Sequence, residues 1–201
     1  NSGECLSAGW KTQRRHNRKQ KQRYNTPMAS FLDGSTNPTA PRRFAIAVSR
    51  FNAPITEALL EGATRTFVDH GIPADAVDVA RVPGAFELPL VCDKLAATGK
   101  YNAVVALGCV VRGDTPHFDY VCGECGRGLM DVGLKHQLPI IFGVLTTDTM
   151  QQALHRADAS SLNSSDGAAD GDTEKHTPKC NKGAEAALCA LEMTALLPAI
   201  S

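Results

Sequence analysis

The chain has 201 residues, 43% of them hydrophobic, with 21 basic and 21 acidic side chains and so no formal net charge. That size and composition fit one globular domain with additions, able to bury its own core without staples. Zero net charge argues against a general nucleic-acid binder, and no run of apolar residues reaches the ~18 needed to cross a bilayer.

Residues 1–42 show no periodicity and read as a disordered, basic and polar arm. Seven Lys or Arg residues and no acid lie between Lys11 and Arg23, so the remainder is acidic by seven charges. The arm has no apolar stretch for a secretory signal. It is basic and acid-poor like an organellar transit peptide, but lacks amphipathic spacing, and "MASFLDGS" from Met28 resembles a natural start. "RFAIAVSRF" predicts a buried strand over Phe44 to Val48, ended by Ser49 and Arg50. "APITEALLEGATRTFVDHG" predicts a helix with Ile55, Leu59, Leu60, Ala63 and Phe67 on one face and Gly71 as its stop. "VDVARV" is a second strand, and "PGAFELPLVCDKLAATG" a second helix with Pro89 near its first turn.

"YNAVVALGCVV" predicts a third strand, followed by a helix from about His117 to His136. "PIIFGVLT" is a fourth strand and "DTMQQALHRA" a helix. From about 158 to 180 the chain is Ser-, Asp- and Gly-rich without an apolar pattern, and reads as a flexible insertion. "KGAEAALCALEMTALL" closes the chain as a helix with an apolar face. Strands alternating with helices predict an α/β fold, and near-continuous apolar strands predict cover on both faces. The expected fold of residues 43–201 is a three-layer open parallel sheet.

In such sheets ligands bind outside the carboxyl ends of the strands. The loops placed there are Ser49 to Asn52, Pro83 to Glu87, Arg112 to His117, and Thr146 with Thr147. Gly113 to Thr115 opens a helix, where free N–H groups and the helix dipole favour an anion, and Thr115 adds a hydroxyl. His117 offers an imidazole for proton transfer. Phe51 offers a flat face for a heterocycle, and Glu87 can accept from hydroxyls or ring N–H groups. Each has a plainer reading: Asp114 and Thr115 as a helix cap, His117 as a surface residue, Phe51 as core, Glu87 as a dipole complement. The tripeptide Arg112 to Asp114 spells an adhesion motif, read here as chance.

Seven cysteines are an odd number, and Cys92, Cys109, Cys122 and Cys189 sit in apolar or helical contexts. They read as reduced thiols of a cytosolic or organelle-interior protein. Cys122 and Cys125 could join His176 and Cys180 as four zinc ligands. The first pair falls inside a helix and the second on the insertion, so a zinc-dependent interaction module is the lesser reading.

Six blocks in order carry a resemblance: "SRFN" (49–52), "VPGAFELP" (82–89), "LGCVVRGDTPHFDYVC" (107–122), "PIIFGVLTT" (139–147), "QALHRA" (152–157) and "NKGAEAALCALEM" (181–193). Together they resemble the lumazine synthase family of riboflavin biosynthesis. The resemblance implies a flavodoxin-like topology and subunits assembled as a homopentamer with active sites between neighbours. It implies condensation of 5-amino-6-(ribitylamino)uracil with 3,4-dihydroxy-2-butanone 4-phosphate, without metal or organic cofactor, and no nucleic-acid or membrane partner. On matching positions, Phe51 stacks on the pyrimidine and Asn52 helps build its pocket. Ala85, Phe86 and Glu87 hold the ribityl chain and ring, and Cys109, Val110 and Val111 offer main-chain groups to the uracil. Asp114 and Thr115 hold the phosphate with Arg156, His117 transfers protons, and Lys182 binds substrate. Phe142 and Arg156 come from a neighbouring subunit. Asp114 stands where the family often has a small residue, so its side chain is expected to turn towards Arg112 or solvent. The insertion stands where the family has a short turn. It implies an isolated pentamer of fungal-like, cytoplasmic type. The same fold used as a non-catalytic lumazine or flavin binder is the alternative.

Overall fold

In the computed structural model, residues 30–158 and 180–200 are described. The strand β1 (Phe44–Ser49) is buried at every position. Phe44, Ile46 and Val48 enter one core while Ala45 and Ala47 enter another, because successive strand side chains point to opposite faces. The chain continues through α1 (Ala53–Asp69), β2 (Val77–Val82), α2 (Leu88–Ala97), β3 (Ala103–Val111), α3 (His117–His136), β4 (Ile140–Thr147), α4 (Met150–Arg156) and α5 (Lys182–Ile200). Gly71 and Gly99 take positive φ beyond α1 and α2, as helix-terminating glycines do. The "PGAFELP" stretch is a 3-10 turn, Ala85–Glu87, feeding α2, with Pro89 in its first turn.

All four strands are parallel, in the order β2-β1-β3-β4. The winding therefore reverses between β1 and β3, where open α/β sheets build their crevices. Helices α1 and α5 cover one face and α2 and α3 the other, which completes three layers. Phe44 of β1 stacks on Phe67 of α1 with centroids 4.5 Å apart, and both are fully buried. Truncating such a ring to alanine costs about 3–5 kcal/mol.

Close approach of α5 to α1 rests on two glycines. A Cβ on Gly183 would lie 1.9 Å from the Leu59 carbonyl oxygen, and one on Gly62 would lie 2.1 Å from Asn181 Oδ1. Asn181 is fully buried. It donates to the Ala58 carbonyl at 2.9 Å and accepts from the Ala184 N–H at 3.1 Å, which caps α5. An antiparallel bridge joins Ala157 to Asn181, Cys180 donates to the His155 carbonyl, and Asp158 donates to that of Cys180. The two ends of the sequence's insertion thus meet at its base, while 159–179 lie outside the described residues. By length and composition α5 could cross a membrane, but its Ala184, Ala187, Ala190 and Leu191 are fully buried within the domain.

Of the polar arm, 1–29 lie outside the described residues, and 30–42 form neither helix nor strand. This stretch lies against α5. Arg42 donates to the Leu191 carbonyl and, at 2.7 Å, to Thr194 Oγ1, and a Cβ on Gly34 would collide with the Glu192 carbonyl.

Candidate active site

Where β1 ends, the backbone turns onto β2: Arg50 donates to the Val82 carbonyl at 2.8 Å and Phe51 to that of Pro83 at 3.1 Å. Asn52 follows in the left-handed conformation, φ 58°, which asparagine tolerates better than most residues. Its Nδ2 donates to the Cys109 carbonyl at 3.0 Å, tying this loop across to β3. The turn so fixed leaves the Phe51 ring 69% exposed, so the core reading of Phe51 fails and an aromatic plate stands free at the crevice.

In the next loop Glu87 folds back, its carboxylate accepting from the Gly84 N–H at 2.9 Å. Ala85 is buried under the turn, and Phe86 stands out beside it. Strand β3 pairs with β1 only as far as Leu107, so its last residues run past their partner on that side. Cys109 is buried, and desolvation pushes its thiol up to about 11, which keeps it protonated. Main-chain groups of Cys109, Val110 and Val111 therefore supply the polarity there, one Cys109 lone pair already being taken by Asn52.

Helix α3 begins at His117, where the sequence places it, with Pro116 as its N-cap residue, so that Gly113 to Thr115 form the turn before it. Asp114, Thr115 and His117 are all exposed on the turn before and at this start. Arg112 does not face Asp114. Its Nε donates to Asp148 at 3.0 Å, its Nη1 to Asp119 at 3.2 Å, and its guanidinium lies 4.1 Å from the Phe118 ring centroid. Of the two directions expected for the Asp114 side chain, Arg112 or solvent, the structure has solvent, because two other carboxylates already occupy the fork. It also gives the motif at 112–114 a structural role. Thr146 and Thr147 belong to β4 rather than to a loop beyond it, and the buried Thr147 hydroxyl has no partner.

Phe51, Asn52, Ala85 to Glu87, Cys109 to Val111 and Asp114 to His117 thus share one rim, at the carboxyl ends of β1, β2 and β3. Phe142, Arg156 and Lys182 do not. Phe142 lies opposite Ala106, five residues before the end of β4 and so ~16 Å back along the strand. With Arg156, Lys182, Glu185 and Cys189 it lines a groove along the outer edge of β4. Arg156 is held by the Gln152 carbonyl at 2.9 Å, and Lys182 by Glu185 at 2.7 Å. Beyond Phe142 an apolar groove continues over Met130, Leu134, Met193 and Leu197. Contiguous exposed apolar surface of this kind marks a contact surface.

The cysteine pair of α3 points elsewhere. Cys125 is fully buried and its thiol is pushed up to about 11, while neighbouring Cys92 is pushed up to about 12. His176, the expected fourth member of a zinc set, lies outside the described residues. Among the described residues no three His, Cys, Asp or Glu side chains gather as a metal site. Sequence reading missed the pairing of Arg112 with Asp119 and Asp148. Its only local signal was an acid in the first turn of α3, seven residues on.

The model of the 6,7-dimethyl-8-ribityllumazine synthase family matches residues 41–198, which takes in all four strands, α1 to α4, all but the last two residues of α5, and both the rim and the β4 groove. This chain is a member of the 6,7-dimethyl-8-ribityllumazine synthase family, whose work lies in riboflavin biosynthesis.

Proposed function

We propose that the chain condenses 5-amino-6-(ribitylamino)uracil with 3,4-dihydroxy-2-butanone 4-phosphate to 6,7-dimethyl-8-ribityllumazine, releasing phosphate and water. The observation that carries the reading is an exposed imidazole, His117, on the same strand-end rim as an exposed aromatic plate, Phe51, in a chain of this family. Schiff-base formation, phosphate elimination and ring closure are mainly proton movements between two reactants held side by side. Orientation of the pair can contribute ~7–11 kcal/mol, and one positioned imidazole a further 10²–10⁴-fold, on the order of general acid–base catalysis.

In this proposal Phe51 stacks on the pyrimidine and Asn52 shapes its pocket. Ala85, Phe86 and Glu87 hold the ribityl chain, with one Glu87 oxygen left over from its bond to Gly84. Backbone groups of Cys109, Val110 and Val111 read the uracil. Asp114, through its backbone, and Thr115 receive the phosphate, and His117 shuttles protons. Arg156, Phe142 and Lys182 are supplied by the neighbouring subunit, Arg156 because its planar fork suits a phosphate. The family implies homo-oligomeric assembly, and we take the particle to be an isolated, fungal-like pentamer in the cytoplasm. The long segment between Asp158 and Cys180 is what supports isolation, since bulk there obstructs packing of pentamers. Mixing the two substrates and following the lumazine chromophore tests the enzyme. A protein that binds the product but never forms it would be the non-catalytic binder instead.

A further inference from the structure

We propose that Arg112 is a positioning residue that fixes the turn Gly113 to His117 through Asp119 and Asp148; this rests on the enzyme reading above. Arg112 follows the last residue of β3, and its N–H donates to the Thr147 carbonyl at 2.9 Å. Its side chain then joins two further places, the first turn of α3 through Asp119 and the turn from β4 to α4 through Asp148. The Phe118 ring stacks beneath it.

The span it encloses has no comparable anchor. Gly113, Asp114, Thr115 and His117 are exposed, and a Cβ on Gly113 would meet nothing within 4 Å. Among the described residues, no side chain of Asp114, Thr115 or His117 makes a hydrogen bond. The imidazole and the phosphate-holding groups therefore inherit their positions from the clamps at the two ends, Arg112 and the Phe118–Asp119 turn. A reacting constellation must be held within about 0.5 Å of its productive geometry, and a loop reaches that only through its supporting contacts.

A plain surface ion pair is the competing view. The side chains of Arg112, Asp119 and Asp148 are 44%, 61% and 69% exposed, and exposed pairs add little to global stability. The effect of this cluster therefore lies in turnover rather than in global stability. Direct capture of phosphate by Arg112 is the other view. One guanidinium between two carboxylates carries a net negative charge, which makes the cluster a poor anion site.

The experiment measures turnover, thermal midpoint and inhibition by inorganic phosphate in assembled protein. Arg112→Met should lower kcat about 10–100-fold, since ~1 Å of misplacement can cost 10²-fold, with the midpoint within a few degrees of wild type. Arg112→Lys should recover only part of it, lacking the fork. The sign for Asp119→Asn and Asp148→Asn decides. Each removes a negative charge beside the turn, yet each should weaken phosphate inhibition, about threefold or more, because the clamp loosens. Tighter phosphate inhibition in these variants would mean that Arg112 or bare electrostatics holds the anion, and would overturn the proposal. So would wild-type kcat and phosphate inhibition in Arg112→Met. If Arg112→Met does not assemble, Asp148→Asn, which keeps the guanidinium and its Asp119 bond, carries the same test. A wild-type chain that forms no lumazine would overturn the enzyme reading itself and this proposal with it. Turnover with an indifferent Arg112 overturns this proposal alone.

Discussion

In the proposed reading, the rim of the sheet and the outer edge of β4 carry complementary halves of one chemistry. At the rim stand an imidazole and two exposed aromatic rings, but Arg112 is taken up by Asp119 and Asp148. At the β4 edge two cations, Arg156 and Lys182, line a groove with Phe142. The rim can stack a heterocycle and move protons, yet the arginine that leads into its phosphate-holding turn, Arg112, is spent on two carboxylates. The edge can neutralise a phosphate, yet presents no plate for the heterocycle at the switch point. The two regions are separated by ~16 Å of strand. A second copy of the chain, setting its edge against this rim, would unite them, as heterologous ring interfaces do.

The largest effect should come from breaking one half in each of two copies. His117→Ala should slow turnover by about 10²–10⁴-fold while leaving substrate affinity largely intact. Arg156→Ala should chiefly raise KM for the phosphorylated substrate, about tenfold or more, through loss of a charge-assisted fork. Co-assembling the two variants in equal amounts should restore about a quarter of wild-type sites, those pairing an Arg156→Ala rim with a His117→Ala edge. A site contained in one chain would recover nothing, because every chain then carries a defect.

Next comes Phe142→Asp. Phe142 is 48% exposed where the β4 groove meets the apolar groove over Met130 and Leu134, themselves 64% and 63% exposed. A carboxylate there would have to be desolvated on assembly, at a cost of several kcal/mol. The native particle should fall apart to smaller species, read by its mass in solution, and activity should drop about a hundredfold with it. A particle of unchanged mass would remove the β4 edge from the interface.

Much of this was legible in the sequence because local signals and tertiary structure agree. Strand and helix order, the start of α3 near His117, and the stops at Gly71 and Gly99 follow from periodicity and glycine alone. The division into rim and edge did not. "PIIFGVLT" reads as a strand buried on both faces, and nothing in its pattern says that β4 ends the sheet and leaves Phe142 half open. The rim loops were found by the rule that loops follow strand ends. Cys109, Val110, Val111, Phe142, Arg156 and Lys182 came only from the resemblance. Arg112 escaped because its partners lie seven and 36 residues away, one of them in a turn of no distinctive composition. The glycines that admit α5 onto α1 are silent as well, since a close approach is a property of two helices.

The smallest effect concerns what lies beneath the rim. Cys109 under the strand end, and Cys92 and Cys125 in the core below α2 and α3, are buried in apolar surroundings. Burial pushes Cys92 up to about 12 and the other two up to about 11, whereas an unfolded thiol ionises near ~8.5. The folded values are raised, so the unfolded chain releases protons that the folded chain keeps. The stability this supplies is complete below about pH 8.5 and is lost as pH rises towards 11–12. For Cys92 the loss by pH 10 is roughly 2 kcal/mol, at 1.36 kcal/mol per unit. The thermal midpoint should therefore fall between pH 8 and 10, and Cys92→Ala should flatten that slope, whatever its cavity costs at pH 7. Tyr101, pushed up by burial first and then by its bond to Asp78, adds to the slope only above about pH 10. The edge thiols Cys180 and Cys189 are only half-buried; burial pushes them up as well, so removing either should reduce the slope, but by less than removing Cys92 does. Equal slopes in wild type and Cys92→Ala would mean that water reaches the core beneath the rim, and the contrast between a dry-floored rim and an open edge would fail with it.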